Sequence, residues 1–440
     1  MSEEELGLGG DPSKLDRSSS AKRTIRPVSH LFGNGGLPGL IRLICRLLPA
    51  NGFSLVSFDA NTLINKAFKL TGLKDLGDES FHTAFAVLLK SLESDARLNF
   101  IGRICARSDI LRMVCNRLCL QEDRRRHPQI ADQIISRPLF ITGLPRTGTT
   151  LLHALLAQDV SSRSPQTWEV MHPSPPPERV SYSCDPRISR TASELKWLDI
   201  IMPGFKRVHL IDARLPQECI AITGHAFISY LFESMYFVDS YRAWHESRDK
   251  RPAYEYHRRF LQHLQWRTPG THWVLKAPSH LFTLETLMQI YPDARIVITH
   301  RDPLKVLPSC ASFTEVLRGS FTDFVDRKNL GIEIARHWEK GARLAVEFTQ
   351  RSRDSQERFF NVQYADLLRE PMAVVRQIYR HFDMELKSES ETAMLSFLAE
   401  NPQNRHGVHH YSLEKYGLDR GSETRSFKFY RDFFGIEPES

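Results

Sequence analysis

The sequence predicts an α/β fold, in which a central parallel sheet is flanked by helices and preceded by an N-terminal helical segment. Short apolar runs rich in β-branched residues alternate with helical patterns in the second half of the chain, as is typical of parallel sheets. In addition, residues 137–158 combine an apolar run, a loop with two glycines and a helical pattern. Ligands of such sheets bind beyond the carboxyl ends of the strands, so those ends are the expected site.

The chain before the first strand divides into two segments. Residues 1–27 are polar and are predicted to be a disordered tail. Residues 1–23 lack the apolar stretch of a signal peptide, so we do not expect secretion. Residues 28–136 are the predicted N-terminal helical segment, and residues 137–440 the predicted α/β domain. Apolar residues at helical spacing predict helices over Ala60–Leu70, Ser80–Leu92 and Asp95–Cys119.

The run 37–53 is the most lipophilic stretch of the N-terminal segment. It contains two arginines and two prolines and is too short to span a bilayer, so no transmembrane segment is predicted. Ile41, Ile44 and Leu48 share one face of a helix, which permits a peripheral membrane contact. We favour the alternative, a helix packed on the protein's own core.

Composition and charge indicate a globular protein that binds a small anion. The chain has 440 residues, 41% of them hydrophobic, and 59 Lys and Arg against 52 Asp and Glu give a formal net charge of +7. This excess suits an anionic small ligand and is too diffuse for a nucleic-acid surface. The seven cysteines include no Cys-x-x-Cys pair and no zinc spacing, so we expect reduced thiols, no metal site and a cytoplasmic location.

The loop between Gly143 and Gly148 indicates a P-loop-type sheet. These glycines are spaced as in the Walker A pattern, in which backbone N–H groups and a helix N-terminus surround a phosphate. Thr149, followed by Thr150, replaces the lysine of that pattern, and Arg146 supplies a cation inside the loop. We therefore expect the loop to bind the anionic part of a nucleotide, in a transfer that needs no metal ion.

Helical patterns dominate the region between this loop and the next strand. Pro173–Glu178 is rich in proline and either rims a substrate pocket or connects two elements on the surface. Helices are then predicted over Ser189–Met202, Gln217–Tyr236 and Trp244–Arg267. Apolar residues within 197–205 and 220–237 either line a pocket or belong to the core, and we favour the core.

The second half of the chain supplies the remaining strands, which are predicted over Thr271–Leu275, Ala294–Thr299 and Arg358–Val362. Polar side chains follow the ends of the predicted strands, namely Arg146, Lys276, His280, Arg301 and Tyr364. Because parallel strands end at the same edge of a sheet, we expect these side chains to lie close together.

Several separated motifs resemble those of one family. They are Pro145–Thr150, Arg301 with Ser309 eight residues later, Tyr364 in Tyr-Ala-Asp-Leu, Arg405-His406-Gly407, and the Lys-x-Pro-x-His motif from Lys276 to His280. In this order they resemble the sulfotransferases, which move a sulfuryl group from 3'-phosphoadenosine 5'-phosphosulfate (PAPS) to a hydroxyl or amine. The resemblance spans residues 137–416 and is strongest to the large bacterial-type branch with an N-terminal helical extension.

The resemblance implies PAPS as the co-substrate. It assigns the 5'-phosphosulfate to Arg146, Thr147, Gly148, Thr149 and Thr150. It assigns the 3'-phosphate to Arg301 and Ser309, with Arg405, His406 and Gly407 closing over it, and the adenine to Tyr364. Arg146 and Arg301 should then face each other and hold opposite ends of one bisphosphorylated adenosine.

The chemistry of the transfer points to the catalytic residues. Sulfuryl transfer resembles phosphoryl transfer, in which positioned cations stabilise the charge that develops on the leaving oxygen. Arg146 suits this task because its planar fork binds two oxygens, and Lys276 adds a point charge. The acceptor must also lose a proton; we favour His280 as the base, with Glu218 as the rival.

Two other functions are compatible with the same loop. A P-loop kinase or NTPase would use ATP with Asp302 holding Mg²⁺, although the loop lacks the lysine that such enzymes carry. A non-catalytic nucleotide-binding scaffold would instead use its N-terminal helices to bind a partner. We expect a sulfotransferase with a small or lipophilic acceptor; the sequence identifies neither that acceptor nor the oligomeric state.

Overall fold

The structure is a computed structural model that describes residues 56–202, 205, 210–402 and 411–439. The predicted tail 1–27, the lipophilic run 37–53 and the Arg405-His406-Gly407 motif lie outside these residues. The helices within them, numbered in chain order, are α1 Ala60–Thr71, α2 His82–Ser94, α3 Phe100–Arg126, α4 Thr149–Leu156, α5 Thr167–Met171, α6 Pro186–Lys196, α7 Leu198–Ile201, α8 Cys219–Thr223, α9 Tyr230–Met235, α10 Asp239–Glu246, α11 Arg251–Gln265, α12 Leu284–Ile290, α13 Pro303–Gly319, α14 Arg327–Arg351, α15 Tyr364–Arg369, α16 Pro371–His381, α17 Ser388–Glu400, α18 Arg420–Ser426 and α19 Lys428–Phe434. The strands are β1 Leu139–Gly143, β2 Val274–Lys276, β3 Arg295–His300 and β4 Phe359–Gln363.

The strands form a four-stranded sheet in the order β2-β1-β3-β4, and every pair is parallel. Phe140 of β1 stands between Leu275 of β2 and Ile296 of β3. The chain leaves β1 toward β2 on one side and later returns to β3 on the other side. The predicted parallel sheet is confirmed, and its change of direction places a crevice at the carboxyl ends of β1 and β3.

Both faces of the sheet are covered, as the continuous apolar strands require. Phe140 and Ile296 point to one face, where they join a buried cluster with Trp338 of α14. Ile141 and Val297, one residue further along their strands, point to the opposite face and pack with residues of α4 and α16. The helices on both faces fix the sheet, so the loops at its carboxyl edge extend from a rigid support.

The N-terminal helices pack directly on the rest of the molecule. Leu88 of α2 and Ile110 of α3 belong to one buried cluster with Phe227, Leu317 and Phe321. This cluster lies beside α13, the helix that follows β3. The division into a segment 28–136 and a domain 137–440 stays a prediction, although side chains from both sides of residue 136 share this core.

Four helix predictions differ from the structure, and one of them, the helix predicted over Ser189–Met202, is divided into α6 and α7 at Trp197. The single helix predicted over Gln217–Tyr236 is wrong, because Phe227 adopts a left-handed backbone (φ 56°) that separates α8 from α9. The helix predicted over Trp244–Arg267 is divided into α10 and α11, and Pro252 stands in the first turn of α11, where its missing N–H costs nothing. Helix α3 begins later than Asp95, because the side chain of Asn99 caps it by accepting from Gly102 N.

Two compositional predictions concern the surroundings of the protein. Within the described residues, no helix combines the length and the apolar character needed to cross a membrane. The six cysteines in this part of the chain form no disulfide with one another. The predicted cytoplasmic location therefore stays a prediction from composition.

Candidate functional site

The loop between β1 and α4 is shaped by its two glycines. Gly143 has φ 141°, and a Cβ there would lie 2.4 Å from the carbonyl oxygen of Thr299 on β3. Gly148 has φ 88°, and a Cβ there would lie 2.7 Å from Cδ2 of Leu367. Both positions combine a left-handed backbone with close neighbours, so only glycine fits. The loop is thereby held against β3 and α15.

Thr147 fastens the middle of this loop. Its hydroxyl donates to the carbonyl oxygen of Leu144 at 2.6 Å and is hydrogen bonded to the hydroxyl of Thr299. Arg146, which precedes it, has φ 66° and projects toward α13, where its Nε donates to Oγ of Ser309 at 3.2 Å. A non-glycine residue in this conformation is uncommon and is maintained here by the bonds on either side.

Arg301, at the end of β3, lies directly beside the loop. Its Nη1 donates to the carbonyl oxygen of Arg146 at 3.1 Å, and its guanidinium stacks on the ring of Tyr364, 4.1 Å from the ring centre. The structure thus brings together Arg146, Ser309, Arg301 and Tyr364. The two arginines were expected to face each other, and their loops are in contact.

Glu439 was not singled out in the sequence, yet its carboxylate contacts Arg301. Nε and Nη2 of Arg301 each donate to this carboxylate at 2.9 Å, and the backbone N–H of Glu439 donates to Oδ2 of Asp302 at 3.1 Å. Burial alone would lower the pKa of Arg301, but the hydrogen bonds and charge of Glu439 raise it above its usual value. The guanidinium of arginine binds planar oxyanions in this way. The carboxylate of Glu439 thus occupies the face of Arg301 that could bind such an anion.

Lys276 and Glu218 form an ion pair on the other side of the loop. Lys276 is buried at the end of β2, and Glu218 immediately precedes α8. Nζ of Lys276 donates to the carboxylate of Glu218 and lies 3.4 Å from Oγ1 of Thr150. The strand-end lysine and the rival base are therefore side by side at the start of α4.

A cavity of about 310 Å³ opens from the loop. Pro145, Arg146, Thr149, Thr150 and Glu218 line one part of it. The rest of the wall is largely apolar and comes from α3, α9, α13 and from α7 with the residue that follows it, including Ile110, Met113, Leu198, Met202, Leu231, Met235, Phe313 and Leu317. Many side chains of the ranges 197–205 and 220–237, for which we favoured the core, thus line this pocket. We name it the loop cavity.

His280 lies in a different, neighbouring cavity of about 240 Å³, which we name the histidine cavity. His280 is buried; its Nδ1 is 2.5 Å from the hydroxyl of Tyr254, and its Nε2 has no hydrogen-bond partner in the described chain. Burial, together with the nearby His257 and Lys276, holds the pKa of His280 far below its usual value. The structure brings Glu218, and not His280, to the cavity that contains Arg146.

Asp302 is engaged by the protein itself. Its Oδ1 accepts from the backbone N–H of Leu304, as the cap of α13, and its Oδ2 accepts from Glu439. In the described ranges, no group of three or more His, Cys, Asp or Glu side chains is arranged to hold a metal ion. Asp302 thus acts as a helix cap, which does not favour the kinase interpretation.

Comparisons with known proteins agree with this geometry. Residues 138–388 match the sulfotransferase family. The chain is similar to the solved structures of sulfotransferase STF9 from Mycobacterium avium and sulfotransferase STF1 from Mycobacterium tuberculosis, each with 31% sequence identity. The TM-scores are 0.80 and 0.74, with coverage of 87% and 84% of this chain and 98% of each neighbour.

A curated relative gives a further comparison. The chain is 24% identical over 279 residues to the omega-hydroxy-beta-dihydromenaquinone-9 sulfotransferase Stf3 of Mycobacterium bovis. The match covers 58% of this chain and 65% of that relative, so the chain spans slightly less than two thirds of its length. These matches confirm the family resemblance predicted from the sequence, whereas the roles assigned to the individual motif residues stay predictions.

Proposed function

Since the chain belongs to the sulfotransferase family, we propose that it transfers a sulfuryl group from PAPS to the hydroxyl of a lipophilic small molecule. One observation carries the proposal. The Arg146 loop and Arg301 meet at the carboxyl ends of adjacent strands, and the loop opens into a largely apolar cavity. The highly charged sulfuryl donor and the apolar acceptor would thus meet at this loop.

The donor's anionic groups would bind to the two arginines. The backbone N–H groups at the start of α4 and the guanidinium of Arg146 suit the 5'-phosphosulfate. Arg301 suits the 3'-phosphate, because it already binds the carboxylate of Glu439 through two nitrogens, and Tyr364 offers an aromatic face to the adenine. Glu439 would have to leave Arg301 when the phosphate binds.

Within the loop cavity, we assign the proton transfer to Glu218. It lines the same cavity as Arg146, whereas His280 lines the neighbouring one. Lys276 holds the carboxylate of Glu218 and would carry positive charge next to the transferred group. Arg146 and Lys276 would stabilise the charge on the leaving oxygen while Glu218 accepts the proton of the acceptor hydroxyl.

The loop cavity supports a lipophilic acceptor. Its wall is formed mainly by aliphatic, methionine and aromatic side chains, which favour an apolar ligand with a few polar contacts. The Mycobacterium bovis relative acts on omega-hydroxy-beta-dihydromenaquinone-9, a hydroxylated lipophile. We extend this class of acceptor, and not that particular compound, to the present chain.

The proposal is tested by incubating the purified protein with PAPS and a panel of hydroxylated lipophiles. We expect products heavier by one sulfo group in mass spectrometry, together with release of adenosine 3',5'-bisphosphate. Reactions with ATP and Mg²⁺ in place of PAPS should give no product. Phosphorylated products from ATP, with none from PAPS, would instead establish the kinase alternative.

Binding of the nucleotide product tests the proposed donor site even when the acceptor is missing from the panel. We expect adenosine 3',5'-bisphosphate to bind the wild-type protein in calorimetry and to bind far more weakly to Arg301→Ala. The matched control is Arg376→Ala, because Arg376 pairs with Glu391 at the surface away from the loop. Equal binding by all three proteins would contradict the donor site proposed for Arg301.

A further inference from the structure

The loop cavity extends along one side of α13. Cys310, Phe313, Thr314 and Leu317 line it and, at intervals of three, four and seven residues, lie on one face of this helix. Arg146 reaches the same helix at Ser309. With a rise of 1.5 Å per residue, Leu317 lies about 12 Å along the helix from that contact. The cavity therefore has a loop end and a distant end.

Tyr236 stands at the distant end. It lines the cavity, and its ring packs on the ring of Phe321 with 5.3 Å between the ring centres. Phe321 lies four residues after Leu317 in the chain. The ring is buried, and the hydroxyl has no hydrogen-bond partner among the residues that the structure describes. Leaving a buried hydroxyl unpaired costs about 1–3 kcal/mol, so this group calls for an explanation.

Two charged residues accompany Tyr236 at this end. Asp109 and Arg112 of α3 line the cavity and are paired with each other at 3.2 Å. They act on Tyr236 electrostatically, although burial is the main reason why its pKa is raised well above the usual value. The described wall therefore carries polar groups at both ends, Arg146 with Glu218 and Tyr236 with Asp109 and Arg112, and is largely apolar between them.

We propose that Tyr236 is a specificity residue that hydrogen bonds to a second oxygen of the acceptor, remote from the hydroxyl that is sulfated. The substrate class is then an elongated lipophile with a hydrogen-bonding oxygen at each end. This inference rests on the proposed function, because the sulfated hydroxyl must lie at Glu218. It goes further in assigning the other end of the molecule.

The first test compares two series of acceptors, α,ω-alkanediols and 1-alkanols of the same chain length. For the best diol, Tyr236→Phe should lower kcat/KM about fivefold, through KM and with kcat unchanged, since it removes one neutral hydrogen bond. The kcat/KM for the matching 1-alkanol should not fall. Equal losses for both acceptors, or no loss for the diol, would overturn the assignment.

Tyr256→Phe is the matched control. The hydroxyl of Tyr256 is also buried and unpaired within the described chain, but its ring packs against Arg117, outside the loop cavity. The substitution deletes the same atom, so it reports any general effect of a lost tyrosine hydroxyl. We expect both kinetic constants for the diol to stay at wild-type values.

Calorimetry makes the inference independent of turnover. The wild-type protein should bind the diol more tightly than the 1-alkanol, and Tyr236→Phe should bind the two equally. If this preference is present without sulfated product, the assignment of Tyr236 stands and the proposed sulfuryl transfer fails. If product forms while the wild-type protein binds both ligands equally, the transfer stands and the assignment of Tyr236 fails.

Discussion

The loop cavity and the histidine cavity are neighbours, but only the first is lined by residues of the loop between β1 and α4. They share Ile220, Tyr230 and Ser279 as a common wall. The loop cavity contains Arg146 and Glu218, whereas the histidine cavity contains His280. The end of β2 contributes to both cavities. Lys276 pairs with Glu218 of the loop cavity, whereas His280, four residues later, lines the histidine cavity. A strand end thus restricts a side chain to a neighbourhood and does not decide which cavity it enters.

The two cavities also differ in how their ionisable groups are used. In the histidine cavity, the carboxylate of Glu233 binds Nδ1 of His245, and burial lowers the pKa of Lys250 to about 8. These groups mainly contact one another and the backbone. In the loop cavity, Glu218 lies beside Lys276 and near the cation of the loop. The contrast is the basis of our proposal that the catalytic side is the cavity that contains Arg146 and Glu218, and not the one that contains a histidine.

The largest expected effect separates the two candidate bases. Glu218→Gln should lower kcat by about 1000-fold, because it removes the base without changing the shape of the side chain. His280→Gln should leave kcat within a small factor of wild type. The measurement is steady-state sulfation, with binding of adenosine 3',5'-bisphosphate as the control for folding. The reverse ranking would assign the base to the histidine cavity.

Removal of the loop cation should have the next largest effect. Arg146→Ala should lower kcat about 100-fold, because a preorganised cation at the leaving oxygen is lost. Arg146→Lys keeps the charge without the planar fork and should fall between wild type and alanine. Single-turnover rates measure the effect on the chemical step. A change confined to KM would show that Arg146 only binds the donor.

Four buried histidines predict acid sensitivity. Burial lowers the pKa of His153, His225, His257 and His263 to about 3. The unfolded chain, with a histidine pKa near ~6.5, binds more protons below that pH, so the free energy of unfolding should fall as pH decreases from ~6.5 toward 3. Each of the four contributes about 1.4 kcal/mol per pH unit within that window.

Urea denaturation at pH 7 and at pH 5.5 measures this loss. His263→Gln removes one of the titrating groups and should reduce the difference between the two pH values. An equal difference in the variant would show that this buried imidazole does not contribute to the acid sensitivity.

The smallest effect concerns Glu439. Glu439→Gln should tighten the binding of adenosine 3',5'-bisphosphate about fivefold, because the partly exposed ion pair with Arg301 no longer competes with the phosphate. Glu437→Gln removes an equal charge two residues earlier, at an exposed position, and is the matched control. Weaker binding by Glu439→Gln would show that Glu439 supports the donor site.

Most of the fold could be predicted from local sequence patterns. The β1 loop and the strands β2, β3 and β4 lie within a few residues of their predicted positions, since short apolar runs between turns specify buried parallel strands. The break between α8 and α9 could not be predicted. It depends on the left-handed backbone of Phe227, which is buried against Phe85 in the tertiary structure.

The candidate site was predictable where a residue belongs to a motif. The proximity of Arg146, Ser309, Arg301 and Tyr364 follows from strand ends that meet at one edge. Glu439 carries no comparable signal, because one acidic residue among 52 is unremarkable until its contact with Arg301 is seen. The apolar wall was equally ambiguous, since residues that line a pocket and residues of a core have the same composition.

The position of helix α3 bears on how selectivity for the acceptor can evolve. Ala106, Ile110 and Met113 of this helix form part of the wall of the loop cavity, while the groups assigned to the donor come from residues after position 137. One part of the cavity wall is thus encoded in a stretch of the gene that contributes none of the groups assigned to the donor. Substitutions in α3 should alter which molecule is modified and leave the grip on the nucleotide intact, so new selectivities can evolve without rebuilding the reaction centre.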